Sequence, residues 1–271
     1  MKPILNLALA LLLVTSFVSA ARAQDMTDAP DVASIVRRMK GAMEPSQPSV
    51  RIMTVKVNDR GKFTTRWTVG QARGHSNDSD SMLTVVLGPA AARGIAFLTM
   101  QKADGVPVSY SYLPAVQRVQ EVTSVAGYEP FGGTDFSYGD LGFVRLGGHE
   151  KLDGVETHNS VRAYKLELPL HNNPLFAKVV TWIATDTGLF IERDYYDHND
   201  KLYKKERFEK VTTIDHVPTI TRIVMEDVQQ GTSSEIEVNS VLYNKLAPTE
   251  LFDPDQISRA ADSVLWKNVG H

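Results

Sequence analysis

From Val50 onward, apolar and polar residues alternate with a period of two, and turn residues break the alternation at hairpin intervals. Successive side chains of an extended strand point to opposite faces, so such a chain satisfies its backbone and its apolar residues together only as a sheet with one greasy side. The pattern predicts strands at 51–57, 62–69, 81–87, 94–100, 106–112, 116–122, 162–168, 178–184, 189–196, 201–211, 219–228 and 233–243. Asn58-Asp59-Arg60-Gly61, Asp153-Gly154, Asp186-Thr187-Gly188 and Asp197-His198-Asn199-Asp200 supply the turns. Within strands, Phe63, Thr65, Trp67 and Val69 share a side, Tyr164, Leu166 and Leu168 oppose Lys165 and Glu167, and Ile236, Val238 and Leu242 oppose Glu235, Glu237 and Asn239. One helix precedes the strands: Asp31 caps a run in which Val32, Ile35, Val36 and Met39 recur at helical spacing, and Gly41 and Pro45 end it. About a dozen short strands with one helix point to a barrel or sandwich, not to alternating βαβ units.

The first residues address the compartment. Lys2, an apolar run from Ile4 to Val18 and the small residues of Ala21-Arg22-Ala23 read as an export signal cleaved after Ala23, too short to span a bilayer. The mature chain, 24–271, is then a single exported domain carrying 27 Lys+Arg against 32 Asp+Glu. That balance speaks against nucleic acid or an anionic membrane as the main partner. With no cysteine there is no thiol to acylate and no disulfide.

Between residues 123 and 160 the alternation lapses and glycine accumulates, at Gly127, Gly132, Gly133, Gly139, Gly142, Gly147 and Gly148. A loop this long is commonly a lid or a binding element. Thr134 or Asp135 could cap a helical turn holding Phe136, Tyr138 and Leu141, with Phe143 following. In such a turn Asp135 and Asp140 stand about 140° apart and do not converge as an acid–base pair. Pro169 to Pro174 is a second break. The seven histidines lack metal-ligand spacing, and there is no nucleophile elbow, P-loop or dinucleotide fingerprint, so no metal, cofactor or catalytic residue is expected. Lys201, Lys204, Lys205, Arg207 and Lys210, interrupted by Glu206 and Glu209, read as a solvated strand surface.

The stretch 112–141, YLPAVQRVQEVTSVAGYEPFGGTDFSYGDL, carries a resemblance. Its Tyr-Leu-Pro with a nearby Arg, its glycine pair and its Thr-Asp-Phe-Ser-Tyr before Asp-Leu resemble the outer-membrane lipoprotein-sorting, LolA-like family. Trp182, Thr187, Tyr196-Asp197 and Leu202 resemble that family's second half. The resemblance implies a mostly β (α+β) fold, an incompletely closed antiparallel β-barrel with a short N-terminal helix and a helical or loop lid over an apolar cavity. It implies a periplasmic carrier of a lipid or lipidated protein between inner and outer membrane, with transient membrane contact. The branch it is most similar to accompanies RND-type inner-membrane exporters, so the alternative is a non-enzymatic sensor or accessory subunit of such an exporter; a hydrolase with an unrecognised site is the third reading. Tyr112, Leu113, Pro114 and Arg118 would form the motif strand, and Gly133, Asp135, Phe136, Tyr138, Asp140, Leu141 and Phe143 the lid. Trp67, Val69, Phe97, Tyr110, Tyr112, Tyr164, Leu166, Trp182, Ile236 and Val238 would line the cavity.

Overall fold

The structure, a computed structural model, describes residues 30–76, 79–102, 107–123, 126–144, 149–170 and 173–269. The expected export signal lies outside them. Helix α1 (Val32–Met43) starts where Asp31 accepts a hydrogen bond from the Ser34 amide at 2.9 Å. Thirteen strands follow: β1 (Ser49–Asp59), β2 (Lys62–Ser76), β3 (Ser79–Gly88), β4 (Ala96–Lys102), β5 (Val108–Leu113), β6 (Arg118–Glu121), β7 (Lys151–His158), β8 (Val161–Pro169), β9 (Lys178–Ala184), β10 (Phe190–Tyr196), β11 (Leu202–Ile214), β12 (Val217–Asp227) and β13 (Thr232–Tyr243). They form one antiparallel sheet in the order β6-β5-β4-β3-β2-β1-β13-β12-β11-β10-β9-β8-β7. Among the described residues only the β1–β13 pairing joins strands distant in sequence; the other neighbours are consecutive in the chain. The sheet ends at β6 and β7 without closing, and the segment that joins those two edges is the glycine-rich one.

Both faces are covered. On the inner face, α1 lays Ile35 and Met39 on Leu166, Ile183, Phe190, Phe208 and Ile220, while the loop 126–144 lays Phe131, Phe136 and Tyr138 on Trp67, Val69, Phe97 and Ile236. On the outer face of β1–β4, Leu251, Phe252, Ile257, Leu265 and Trp266 cover Val50, Ala72, Leu83, Val85 and Leu98. These residues belong to three 3₁₀ turns, Thr249–Phe252, Ile257–Asp262 and Val264–Asn268. The sheet makes room for this cover at two glycines. A Cβ at Gly70 would stand 2.7 Å from the Trp266 ring, and one at Gly74 would stand 2.5 Å from the ring of Phe252.

Four details depart from the alternation. β7 was not expected: Asp153-Gly154 reads as a turn but sits inside the strand, where Gly154 (φ 153°) takes up a bulge between Leu152 and Gly154 against β8. A bulge at Thr64 pairs Phe63 with Asn58 and Thr65 with Val57, which turns Phe63 away from the side of Trp67. A bulge at Asn239 likewise sets Leu242 opposite Val50, so Leu242 leaves the side of Ile236 and Val238. Finally, Thr134 caps no helix. Gly132 (φ 57°) and Gly133 (φ 82°) force a tight turn, and Pro130 and Ser137 pair as a β-bridge, so the expected helical turn is a small hairpin.

Candidate functional site

The candidate site is the inner face beneath the loop 126–144. Phe131 is its centre, packed edge-on to Trp67 at 6.1 Å between ring centroids and to Tyr138 at 5.4 Å; Tyr138 in turn meets Phe97 at 5.3 Å. Gly132 is required here, since a Cβ would come within 2.2 Å of Trp67. Beside this aromatic plug a pocket of about 180 Å³ remains, bounded by Gly139, Asp140 and Phe143 of the loop and by Leu168, Val179 and Tyr195 of the sheet. The interior is thus filled in large part by the loop's own rings, with space for a small guest and for a larger one only if the rings withdraw.

Among the described residues, polar bonds fasten the loop at three places. Asp135 accepts from Thr232 Oγ1 at 2.5 Å and from Ser234 Oγ at 2.6 Å, and its carbonyl accepts from Lys204 Nζ at 2.6 Å. Glu44, the residue that caps the end of α1, accepts from the Val144 amide. Asp140 accepts from the Ser137 amide at 2.8 Å and from Tyr195 OH at 3.3 Å. Asp135 and Asp140 therefore serve separate anchors and do not meet.

Behind Asp140 lies a buried charge cluster. The one hydrogen of Tyr195 OH is shared between Asp140 and Glu206 Oε2, the latter at 3.1 Å, and Arg193 pairs with the same Glu206 oxygen at 3.3 Å. Glu206 is 4% exposed, and burial pushes its carboxyl up to about 7, against the pull of Arg193 and with a further push from Asp140. Burial also drives the Tyr195 phenol well above its usual range. Glu206 belongs to a run that reads as a solvated surface, and this is a correction. The strand does split the run between its faces: Lys205 bonds Glu192 and Asp194 outside at 2.6 and 3.2 Å, while Glu206 turns inward opposite Met225 of β12. The readable signal was cross-strand: Arg193 and Glu206 are register partners of opposite charge.

Of the ten expected lining residues, Trp67, Val69, Phe97, Ile236 and Val238 meet beneath the loop, and Tyr164 and Leu166 lie on the same face under α1. The other three lie on the outer face. Tyr110 and Tyr112 pack on the cluster covered by the C-terminal segment, and Trp182 stacks on His158 at 4.1 Å while its Nε1 donates to Glu156 at 2.6 Å. Alternation assigns residues to two sides of a strand but does not say which side is inward, and these three fell on the wrong one. Among the lid residues, Phe136, Tyr138 and Phe143 are buried, Leu141 is half-buried against the plug, and Gly133 is exposed at the turn. Leu113 ends β5, Pro114 lies in the tight β5–β6 turn, and the exposed Arg118 opens β6 at the sheet edge. Phe131 was missed, and its only cue was its place before the glycine pair. No group of three or more His, Cys, Asp or Glu is placed to hold a metal ion among the described residues.

Comparison with known proteins agrees with this architecture. No curated protein matches the sequence. A family model described only as that of an uncharacterized protein matches residues 78–259. A crystal structure of an outer membrane lipoprotein-sorting protein domain, so described, from Vibrio parahaemolyticus superposes with a TM-score of 0.74 at 22% identity, covering 83% of this chain and 97% of that one. A DUF1329 family protein from Desulfovibrio piger gives 0.72 at 23% identity over 81% and 95%. A LolA superfamily protein from Nitrosomonas europaea gives 0.64 at 19% over 84% and 99%. The chain belongs to the family that this model describes, and its fold is that of the LolA-like, outer-membrane lipoprotein-sorting group.

Proposed function

We propose that the protein is a periplasmic carrier that shelters a lipid, or the acyl part of a lipidated protein, on its inner face. The observation that carries this reading is the loop 126–144: an apolar inner face covered by aromatic side chains on a segment that polar bonds hold at a few points. Covering roughly 400 Å² of acyl chain is worth about 10 kcal/mol before ordering costs. The guest must first displace the rings of Phe131, Phe136 and Tyr138, whose return to water costs about 2–3 kcal/mol each. The difference is a few kcal/mol, which suits reversible loading; the plug is an internal competitor that helps to expel the cargo at its destination.

Native mass spectrometry of the exported protein, with organic extraction and identification of what is released, tests the reading directly. Bound lipid is the expected result, and preparations that never contain or take up lipid sink it. Leu141→Asp, which sets a carboxylate against the cargo without removing a competing ring, should lower lipid retention by about tenfold or more, whereas Phe136→Ala, which removes one ring from the competition, should raise it, with the sheet still folded by circular dichroism in both. Unchanged retention in both variants removes the loop from the mechanism.

A further inference from the structure

The β1–β2 hairpin reaches beyond its neighbour. β3 first pairs with β2 at Thr68, opposite Gly88, so Lys62 to Trp67 are joined to β1 alone. The turn places Arg60 (φ 48°) and Gly61 (φ 87°) at the tip, and the bulge at Thr64 swings Phe63 to the outer side with Lys56 and Arg66. Phe63 is 68% exposed, on the rim of a groove of about 450 Å³ that Lys56, Thr64, Thr65 and Arg66 complete. From 56 to 66 the charged residues are Lys56, Asp59, Arg60, Lys62 and Arg66, a net +3 on a chain whose net charge is −3. Lys56 is taken by Glu237 at 3.0 Å and Glu235 at 3.5 Å, and Arg60 stands 3.9 Å from Asp59. Lys62 and Arg66 are exposed and have no ion pair among the described residues.

We propose that this hairpin docks the protein on an anionic phospholipid surface, with Phe63 inserted at the level of the headgroups and Arg60, Lys62 and Arg66 against the phosphates. An exposed aromatic ring among cations is the combination that an acidic bilayer interface rewards, and a locally basic tip on an acidic protein also orients it toward such a surface. An extended peptide adding to the open edge of β2 is the competing occupant. Against it stand the bulge at Thr64, which interrupts the ladder a new strand would need, and Lys62 on the edge itself. The docking site is coupled to the cargo site through one strand. Four residues beyond Phe63, about 13 Å along β2, Trp67 seats Phe131 and Gly132 of the loop. The tip that takes up the bilayer and the loop that must open thus share one strand, on its opposite faces.

The purpose of docking rests on the carrier reading; the docking itself does not, and its test uses no cargo. Flotation of the purified protein with vesicles of phosphatidylethanolamine and phosphatidylglycerol, compared with phosphatidylcholine alone, should show preference for the former that fades as salt is raised. Phe63→Ser should weaken that binding about tenfold, and Lys62→Glu with Arg66→Glu should abolish the preference. All three positions are exposed, so unchanged thermal unfolding certifies the variants as folded. Equal binding to both vesicle types, variants that bind like the parent, or capture of an acidic peptide in place of vesicles would overturn the proposal. A docking protein that never carries lipid would refute the carrier reading and leave this one standing.

Discussion

The outer face of β1–β4 is covered by the segment 249–269 and the inner face by the loop 126–144, and the two covers are held by different means. The outer one is keyed into the backbone. Trp266 and Phe252 press on Gly70 and Gly74 where no side chain fits, Trp266 Nε1 donates to the Ala260 carbonyl at 2.7 Å, and Arg93 reaches the Ala261 carbonyl at 2.7 Å. The inner cover has comparable rings and one such key, Gly132 against Trp67, but it turns on the positive-φ pair Gly132 and Gly133, encloses a pocket, and is fastened by carboxylates at Asp135, Asp140 and Glu44. Two keys on one cover must withdraw together, whereas a few polar bonds can open one at a time and be replaced by water. On the carrier reading proposed above, the outer cover is the permanent one and the inner cover the one that exchanges.

The sharpest way to break that contrast is to remove the key. Trp266→Ala should cost about 3–5 kcal/mol of global stability, because a ring only 7% exposed leaves a cavity against Gly70, which has no side chain to fill it. Denaturant unfolding measures this, and lipid retention at low temperature should be unchanged. A loss of lipid without a loss of stability would show that the outer cover, too, takes part in exchange.

A second difference is titration. Glu206 faces Arg193 and Tyr195 from β10, Asp140 from the loop and Met225 from β12. Its carboxyl titrates near 4.5 when unfolded and at about 7 in the fold, so the folded state binds the proton more tightly. The resulting stability is fully present below 4.5 and is lost as pH rises through about 7, a change on the order of 3 kcal/mol. Glu206→Gln is neutral throughout: near pH 5 it should match the parent, and by pH 8 it should gain on it by about that amount. Denaturant titrations at the two pH values decide it, and a parent whose advantage over the variant grows with pH would mean that the Arg193 pairing outweighs burial.

How far each region could be read in the sequence follows the same division. Alternation over 50–243 locates twelve of the thirteen strands, because a half-buried strand must repeat at two whatever it packs against. It misses β7, where Gly154 imitates a turn, and it misplaces Phe63 and Leu242, because a bulge reverses parity without any residue type to announce it. The outer cover has no period at all: 3₁₀ turns separated by Asp253-Pro254 and Ser263 obey neither two nor 3.6, so 249–269 gives no signal of the role it has. The inner loop is legible through its glycines and rings. Its anchors on Thr232, Ser234 and Tyr195 are not, since each partner lies 55 or more residues away and only the β1–β13 closure and the hairpin register bring them near.

The smallest expected effect separates the covers most finely. Asp135→Ala deletes the acceptor of two hydroxyl bonds, leaving Ser234 Oγ, on a residue 1% exposed, to bond only the loop amide of residue 135. The loop's rings and the Lys204 bond to the backbone carbonyl remain, so the loss should be about 1–2 kcal/mol and confined to loop opening. Amide exchange reads this locally: protection over 131–143 should fall about tenfold, while Leu251, Ile257 and Leu265 exchange as before. Were protection to fall alike in both covers, the loop would open only with the whole sheet, and a carrier that must load and release without unfolding could not use it as its door.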